Sequence, residues 1–170
     1  MRPPSPKFTF QLATADDAPA LAALHTSVAA HLTAQHGRGH WSLNTTEKGV
    51  LFALRNAHVY TARLGNELVG TLNLARKKPW AIDTSYFATR ARPLYLVNMA
   101  IVPEKQRQGL GRRCLQEAIR VAREFPTDAI RLDAYDGPAG ASGFYASCGF
   151  TEAGRASFRE QPLIYYELLL

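Results

Sequence analysis

Cysteine is scarce in this sequence of 170 residues. Cys114 and Cys148 are the only two, with no CxxC pair and no histidine cluster beside them, so neither a disulfide framework nor a zinc site is expected. Cys114 falls in an apolar helical stripe and Cys148 precedes Gly149-Phe150; both read as buried free thiols in a reducing cytoplasm. No apolar run approaches the roughly 20 residues that span a bilayer, so no membrane segment is expected. The start, Met1-Arg-Pro-Pro-Ser-Pro-Lys7, lacks the apolar stretch of a secretory signal and reads as a flexible lead-in. The histidines His25, His31, His36, His40 and His58 show no ligand spacing. His36 and His40 are four apart but straddle Gly37-Arg38-Gly39, which breaks a helix. They read as solvated polar residues, and no metal is expected.

A strong basic patch is also missing. The formal net charge is +6, but the basic residues are scattered, with local pairs only at Lys77-Lys78 and Arg112-Arg113. There is no basic tail and no basic stripe interleaved with aromatics, so no nucleic-acid partner is expected. A small polyanionic ligand stays open. A hydrophobic content of 46% and the length fit one domain over residues 1–170, as monomer or homodimer.

What is present is regular. Phe8 to Leu12 alternates as a strand. Thr14 and Asp17 have the spacing of a capping box, followed by Leu21, Leu24, Val28 and Leu32 at helical spacing to about His36, with Gly37 as the stop. Thr45 or Thr46 caps a second helix carrying Val50, Leu51 and Leu54. His58–Leu64 and Glu67–Ala75 read as strands joined by Gly65-Asn66. Arg76 to Pro93 has no period but carries Trp80, Tyr86 and Phe87, which argue against disorder. Leu94 to Val102 is apolar enough for a strand buried on both faces. Gly109 to Phe125 is an amphipathic helix. Ala129–Tyr135 is a strand, Ala141–Cys148 a short helix, and Thr151–Phe158 and Leu163–Leu169 the closing strands.

Between the buried strand and the amphipathic helix lies Gln106-Arg107-Gln108-Gly109-Leu110-Gly111. A helix N-terminus leaves backbone N–H groups unpaired and carries partial positive charge, which suits a phosphate. Glycines allow close backbone approach, and Arg107 and Arg112 add charge-assisted hydrogen bonds. The placement reads as a pyrophosphate site. A Walker loop needs Gly-Lys-Ser/Thr, and Arg112-Arg113 follow Gly111 here. A dinucleotide fingerprint needs a third glycine where Cys114 stands, and the stretch from Val102 to Gly109 is long for its tight turn, although Asp133 sits tolerably for the acidic partner.

The run Met99-Ala100-Ile101-Val102-Pro103-Glu104-Lys105-Gln106-Arg107-Gln108-Gly109-Leu110-Gly111 resembles motif A of the GNAT N-acetyltransferases. Gly143-Phe144-Tyr145-Ala146-Ser147-Cys148-Gly149-Phe150 resembles that family's motif B. The resemblance implies an α/β fold with a mixed, twisted sheet of about seven strands flanked by four helices. It implies transfer of an acetyl (acyl) group from acetyl-CoA to a primary amine by direct attack, with no metal. By the same resemblance, the backbones of Met99, Ala100 and Ile101 pair with the pantetheine arm. Gln106, Arg107, Gln108, Gly109, Leu110 and Gly111 wrap the pyrophosphate with Arg112, and the N–H of Met99 stabilises the oxyanion. Tyr145 donates a proton to the departing sulfur; a phenol near ~10 can protonate a thiolate whose acid lies near ~8.5.

Two departures from the family pattern stand out. The asparagine expected six or seven residues before Tyr145 is replaced by Pro138 and Ala139, with Ser142 as a substitute contact. The glutamate that some relatives carry on the central strand is Tyr95 here, and no carboxylate lies in Leu94–Val102. Asp133, Asp83 or a water chain are the candidate bases. Trp80, Asp83 and Tyr86 are candidates for an acceptor site, through cation–π attraction and an ion pair with a cationic amine. A non-catalytic CoA-binding module is the alternative class, against which the intact Tyr145 argues; a nucleic-acid binder using the net charge is a third.

Overall fold

A computed structural model describes residues 5–170; the first four residues of the expected lead-in lie outside them. The strands are β1 (Phe8–Leu12), β2 (His58–Leu64), β3 (Glu67–Ala75), β4 (Pro93–Ile101), β5 (Ala129–Tyr135), β6 (Thr151–Phe158) and β7 (Gln161–Leu169). The α-helices are α1 (Ala18–His36), α2 (Glu47–Asn56), α3 (Leu110–Ala122) and α4 (Ser142–Ser147). Their order is the one read from the sequence. The seven-stranded sheet runs β1-β2-β3-β4-β5-β7-β6, and it is mixed: β4 and β5 are parallel, whereas β1–β2, β5–β7 and β6–β7 are antiparallel.

Contacts divide the chain into two compact units, one ending at Asn73 and resuming over Asn98–Glu117, the other formed by Leu74–Val97 and Ala118–Leu170. In the first, the Asp17 carboxylate accepts the Thr14 N–H at 2.8 Å and pairs with Arg63 at 2.8 Å, holding the short turn that leads into α1. Gly37, at φ +77°, ends that helix, a conformation that costs glycine no Cβ clash. Thr46, of the two threonines considered, caps α2 by accepting the Gly49 N–H at 3.1 Å. Ala18, Leu21, Val50 and Val59 pack α1, α2 and β2 together. Gly70 brings β3 close to its neighbours: a Cβ there would meet Ile101 Cδ1 at 2.6 Å and Cys114 Sγ at 3.5 Å. Cys114 is buried, and burial pushes its thiol up to about 12, so it stays a packing group.

In the second unit β7 pairs with β5 from Ala129↔Leu169 to Tyr135↔Leu163. It turns back into β6 through Arg159 and Glu160, at φ 49° and 65°, a two-residue turn of the left-handed kind usually made by Asn and Gly. The strand therefore begins at Gln161, two residues earlier than the expected Leu163. Ile82, Phe87, Tyr95, Leu163 and Tyr165 form a cluster that fixes the long segment after β3. Arg131 is 3% exposed; it pairs with Glu167 at 2.7 Å, donates to the Ala88 carbonyl at 2.7 Å and lies 4.6 Å over the Phe87 ring. The segment is thus pinned to β5 and β7, as its aromatics implied.

Other expectations change. α3 spans Leu110–Ala122 and so ends three residues before the expected Phe125. β4 is not buried throughout: Leu94, Tyr95 and Leu96 are buried, but Val97 is half-buried and Asn98 exposed. Asn98 stands at φ +53°, and a left-handed residue inside a strand breaks the regular ladder. Cys148 is half-buried rather than buried. His25 and His31 on α1 and His58 on β2 are half-buried rather than solvated.

Candidate functional site

The glycine loop lies in the first unit. Val102 donates its N–H to Val69 at 2.9 Å, Pro103–Lys105 form a short 3₁₀ turn, and the chain enters α3 at Leu110. Between them Arg107 and Gly109 both take left-handed backbone conformations, at φ 58° and 80°. Successive reversals of this kind turn backbone N–H groups toward one side and form an anion-binding concavity. A Cβ on Gly109 would meet nothing within 4 Å; the space over that glycine is open to a ligand. Gln106 Nε2 donates to the Ile101 carbonyl at 3.0 Å and Gln108 Nε2 to the Glu104 carbonyl at 2.9 Å.

These contacts refine the expected roles. The side chains of Gln106 and Gln108 tie the loop to the strand end and to its own turn, so they position the loop's backbone. Leu110 is buried, which leaves only its backbone for a ligand. Arg107 and Arg112 are exposed, as their proposed role needs. Arg113 instead lies 4.2 Å over the Phe8 ring. Just upstream, Met99 and Ile101 are half-buried and Ala100 is buried, after the left-handed residue Asn98. Sequence reading missed Asn98; its signal was a lone polar residue, of a type that tolerates φ > 0, inside an apolar strand.

In the second unit Tyr145 is buried on α4. Its ring meets Phe144 at 5.2 Å, Phe150 at 6.0 Å and Tyr166 at 6.1 Å between centroids. Burial first, then the negative charge of Asp133, push its phenol well above the ordinary value. The hydroxyl therefore stays protonated at neutral pH, and it is a weaker acid than a free phenol. Ser142, expected to replace the missing asparagine contact, opens α4 and is half-buried. Gly149, at φ 93°, ends α4.

Trp80, Asp83 and Tyr86 are brought together: they line one open depression of about 420 Å³ with Lys78, Phe158 and Tyr165. Trp80 is 85% exposed. Asp83 accepts the Ser85 N–H at 2.9 Å; the Ser85 hydroxyl first, then this backbone bond, hold its carboxylate below the usual range. Its own N–H goes to the Tyr165 hydroxyl at 3.2 Å. Tyr86 packs edge-on against Tyr165 at 5.2 Å, and Phe87 is core. Part of this aromatic set therefore packs the sheet and part faces outward.

The family model for the acetyltransferase (GNAT) family matches residues 24–150. A curated relative, the uncharacterized N-acetyltransferase YvbK of Bacillus subtilis, is 26% identical over 57% of this chain, and the match spans about half, 55%, of that protein. Among solved structures, the ribosomal-protein-alanine N-acetyltransferase of Brucella melitensis superposes with a TM-score of 0.71 at 20% identity, covering 95% of this chain and 99% of that one. The protein yncA of Salmonella typhimurium, solved with its cofactor acetyl-CoA, superposes with a TM-score of 0.70 at 18% identity, covering 96% and 94%. At these identities the two structures speak for the fold alone. The family match, spanning both the glycine loop and the Tyr145 segment, decides the rest: this chain belongs to the GNAT acetyltransferase family.

Proposed function

We propose that the chain is an N-acetyltransferase that moves an acetyl group from acetyl-CoA to a primary amine by direct attack, as one catalytic domain working in the cytoplasm. The observation that carries this reading is the glycine loop: Arg107 and Gly109 in left-handed conformations, open space over Gly109, and a helix start immediately behind. That arrangement fits a pyrophosphate, with Arg107 and Arg112 adding charge. The backbones of Met99, Ala100 and Ile101 hold the pantetheine arm by strand-like pairing. The Ile101 carbonyl already accepts from Gln106, and its second lone pair serves the ligand.

The N–H of Met99 polarises the thioester carbonyl, where an oriented donor acts most strongly as negative charge develops. The amine nitrogen attacks the carbonyl carbon, the C–S bond breaks, and Tyr145 supplies the proton that the sulfur takes. Its hydroxyl is protonated at neutral pH, as the role requires, and must give up that proton from a site where burial makes it a weaker acid than a free phenol; proton donation at a step of this kind is worth about 10²–10⁴-fold. The acceptor's body lies against Trp80, Asp83 and Tyr86, which offer an aromatic face and one carboxylate to a cationic group. The test is direct. Purified protein is given acetyl-CoA and a panel of amines, free thiol release is followed, and acetyl-CoA binding is measured by calorimetry. Binding with amine-dependent thiol release is the expected result; no binding to acetyl-CoA overturns the reading.

A further inference from the structure

The mechanism above leaves one proton without a destination. An alkylammonium must lose a proton before its nitrogen can attack, and β4 offers no carboxylate to take it. Away from the glycine loop, the first unit holds a second, smaller pocket of about 70 Å³, lined by His25 of α1, Thr71 and Asn73 of β3 and Asn98 of β4, with Leu21 and Val50 as apolar wall. Asn98 is the left-handed residue that breaks β4, and Met99 follows it, so the pocket ends one residue from the proposed oxyanion donor.

The polar groups in this pocket are not committed elsewhere, with one exception: the Thr71 hydroxyl donates to the Tyr60 carbonyl at 2.8 Å. Asn73 is 4% exposed, yet among the described residues neither its amide nor the His25 ring has a hydrogen-bond partner. No buried polar side-chain atom is sealed without a partner either, so the Asn73 amide faces accessible space. A buried amide left open in this way suits a ligand with a donor or acceptor of its own. His25 is the only ionisable side chain in the lining; none faces it from α2, β2, β3 or β4 there. Burial lowers its imidazole below the ordinary value, which keeps the ring neutral near pH 7 with a lone pair to accept a proton. The volume is about twice a water's share of the liquid, enough for an amino group and the carbon or two that carry it.

We propose that this pocket receives the amino group of the acceptor, a primary alkylamine entering end-on, and that His25 takes the proton the ammonium loses. The proposal rests on the acetyl-transfer reading. In balance, one N–H proton moves from the ammonium to His25, and the freed lone pair forms the C–N bond. The C–S bond breaks, and the thiolate takes a proton from Tyr145. The second proton lost from nitrogen restores the Tyr145 hydroxyl, and His25 releases its own to water.

Two amines of nearly one shape separate this role from a packing role. Ethylamine is an ammonium at pH 7; 2,2,2-trifluoroethylamine is largely uncharged there and needs no base before attack. With acetyl-CoA as donor, His25→Gln should lose kcat/KM on ethylamine roughly tenfold or more beyond its loss on trifluoroethylamine, and the ethylamine deficit should shrink as pH rises. The ring-nitrogen resonances of His25 in the wild type should shift when ethylamine is added without acetyl-CoA, and those of His58 should not. His25→Asn repeats the kinetics if the glutamine variant melts early. Equal losses on both amines, no loss on either, or an unmoved His25 resonance overturns the proposal. So does a wild type that binds acetyl-CoA but uses neither amine. Failure to bind acetyl-CoA at all sinks the acetyl-transfer reading itself.

Discussion

Replacing Gly109 by glutamate separates the fold's need for this residue from the ligand's. The backbone sits at φ +80°, and nothing lies within 4 Å of where a Cβ would stand, so the first side-chain carbon meets no protein atom there. The fold loses only the cost of holding an L-residue in the left-handed region, about 1–2 kcal/mol. For a chain of this size that is a fall in melting temperature of roughly 2–8 °C. Against bound pyrophosphate the effect is different. A carboxylate about 5 Å from one phosphate charge repels it by about 1 kcal/mol in water and about 3 kcal/mol at an effective dielectric near 20. Gly109 is exposed, which favours the lower end, and loss of close backbone approach adds to it. The expected result is at least a tenfold weaker acetyl-CoA affinity, equivalent to about 1.4 kcal/mol, less marked at high salt. Calorimetry measures the affinity and thermal melting the fold. Gly109→Ala is the control, because it carries the strain without the charge and should lose less affinity. A folded Gly109→Glu protein that binds acetyl-CoA as tightly as the wild type would falsify the site.

Tyr145→Phe should cut kcat about tenfold or more while acetyl-CoA affinity, by calorimetry, stays nearly constant; retained kcat with collapsed affinity makes Tyr145 a binding residue. Burial raises the Tyr145 phenol in the folded chain, so its contribution to stability is full below the unfolded value near ~10 and is lost as pH rises past it. Denaturant midpoints should therefore fall as pH rises above about 10, less steeply in Tyr145→Phe, and identical curves refute this account. Asp83→Asn should raise the acceptor KM and leave the acetyl-CoA KM alone, with little change in melting because asparagine can still accept the Ser85 N–H; if neither constant nor kcat moves, the depression does not hold the amine. Arg131→Ala removes a buried guanidinium and strips the partner from the half-buried Glu167 carboxylate, and should destabilise the chain by up to about 3–5 kcal/mol, read as a lower denaturant midpoint; a loss under about 1 kcal/mol would mean the pair is dispensable.

Much of the fold was legible because local chemistry and tertiary structure agree in it. β1, β2, β3, β5 and β6 begin and end where alternation, turn residues and prolines put them. Gly37 stops α1 and Thr46 starts α2 for reasons that act within four residues. Boundaries slipped where the deciding contact is distant or the turn chemistry unusual. Arg159-Glu160 makes a turn that sequence rules reserve for Asn and Gly, so β7 begins earlier than Leu163. Arg131 reads as a surface cation, since nothing near it in sequence announces that Glu167, Ala88 and Phe87 converge on it. The segment after β3 has no period because its order comes from Arg131, Tyr165 and the Asp128 carboxylate, which accepts the Ala91 and Arg92 N–H groups, and not from a repeating face.

The site divides along the same line. A phosphate-binding loop is local: glycine spacing, a preceding strand and a following helix are written consecutively, so Gln106 to Gly111 stand out in the sequence alone. Its refinement, that the Gln106 and Gln108 side chains hold the loop while the backbone faces the ligand, needed geometry. The acceptor side is not local. His25, Asn73 and Asn98 come from three elements separated by dozens of residues, and each alone has an ordinary explanation as a polar group on an amphipathic or mixed face. Their meaning appears only when β4 is seen to break at Asn98. In the reading proposed above, the proton acceptor stands on α1 beside the pocket and not on β4. Restoring a strand carboxylate by Tyr95→Glu should therefore not rescue His25→Gln. Tyr95 packs with Ile82, Phe87, Leu163 and Tyr165, so a carboxylate there would be buried among apolar rings, far costlier than the phenol it replaces. A double variant that recovers the ethylamine rate would show instead that a carboxylate at that place can reach the amine.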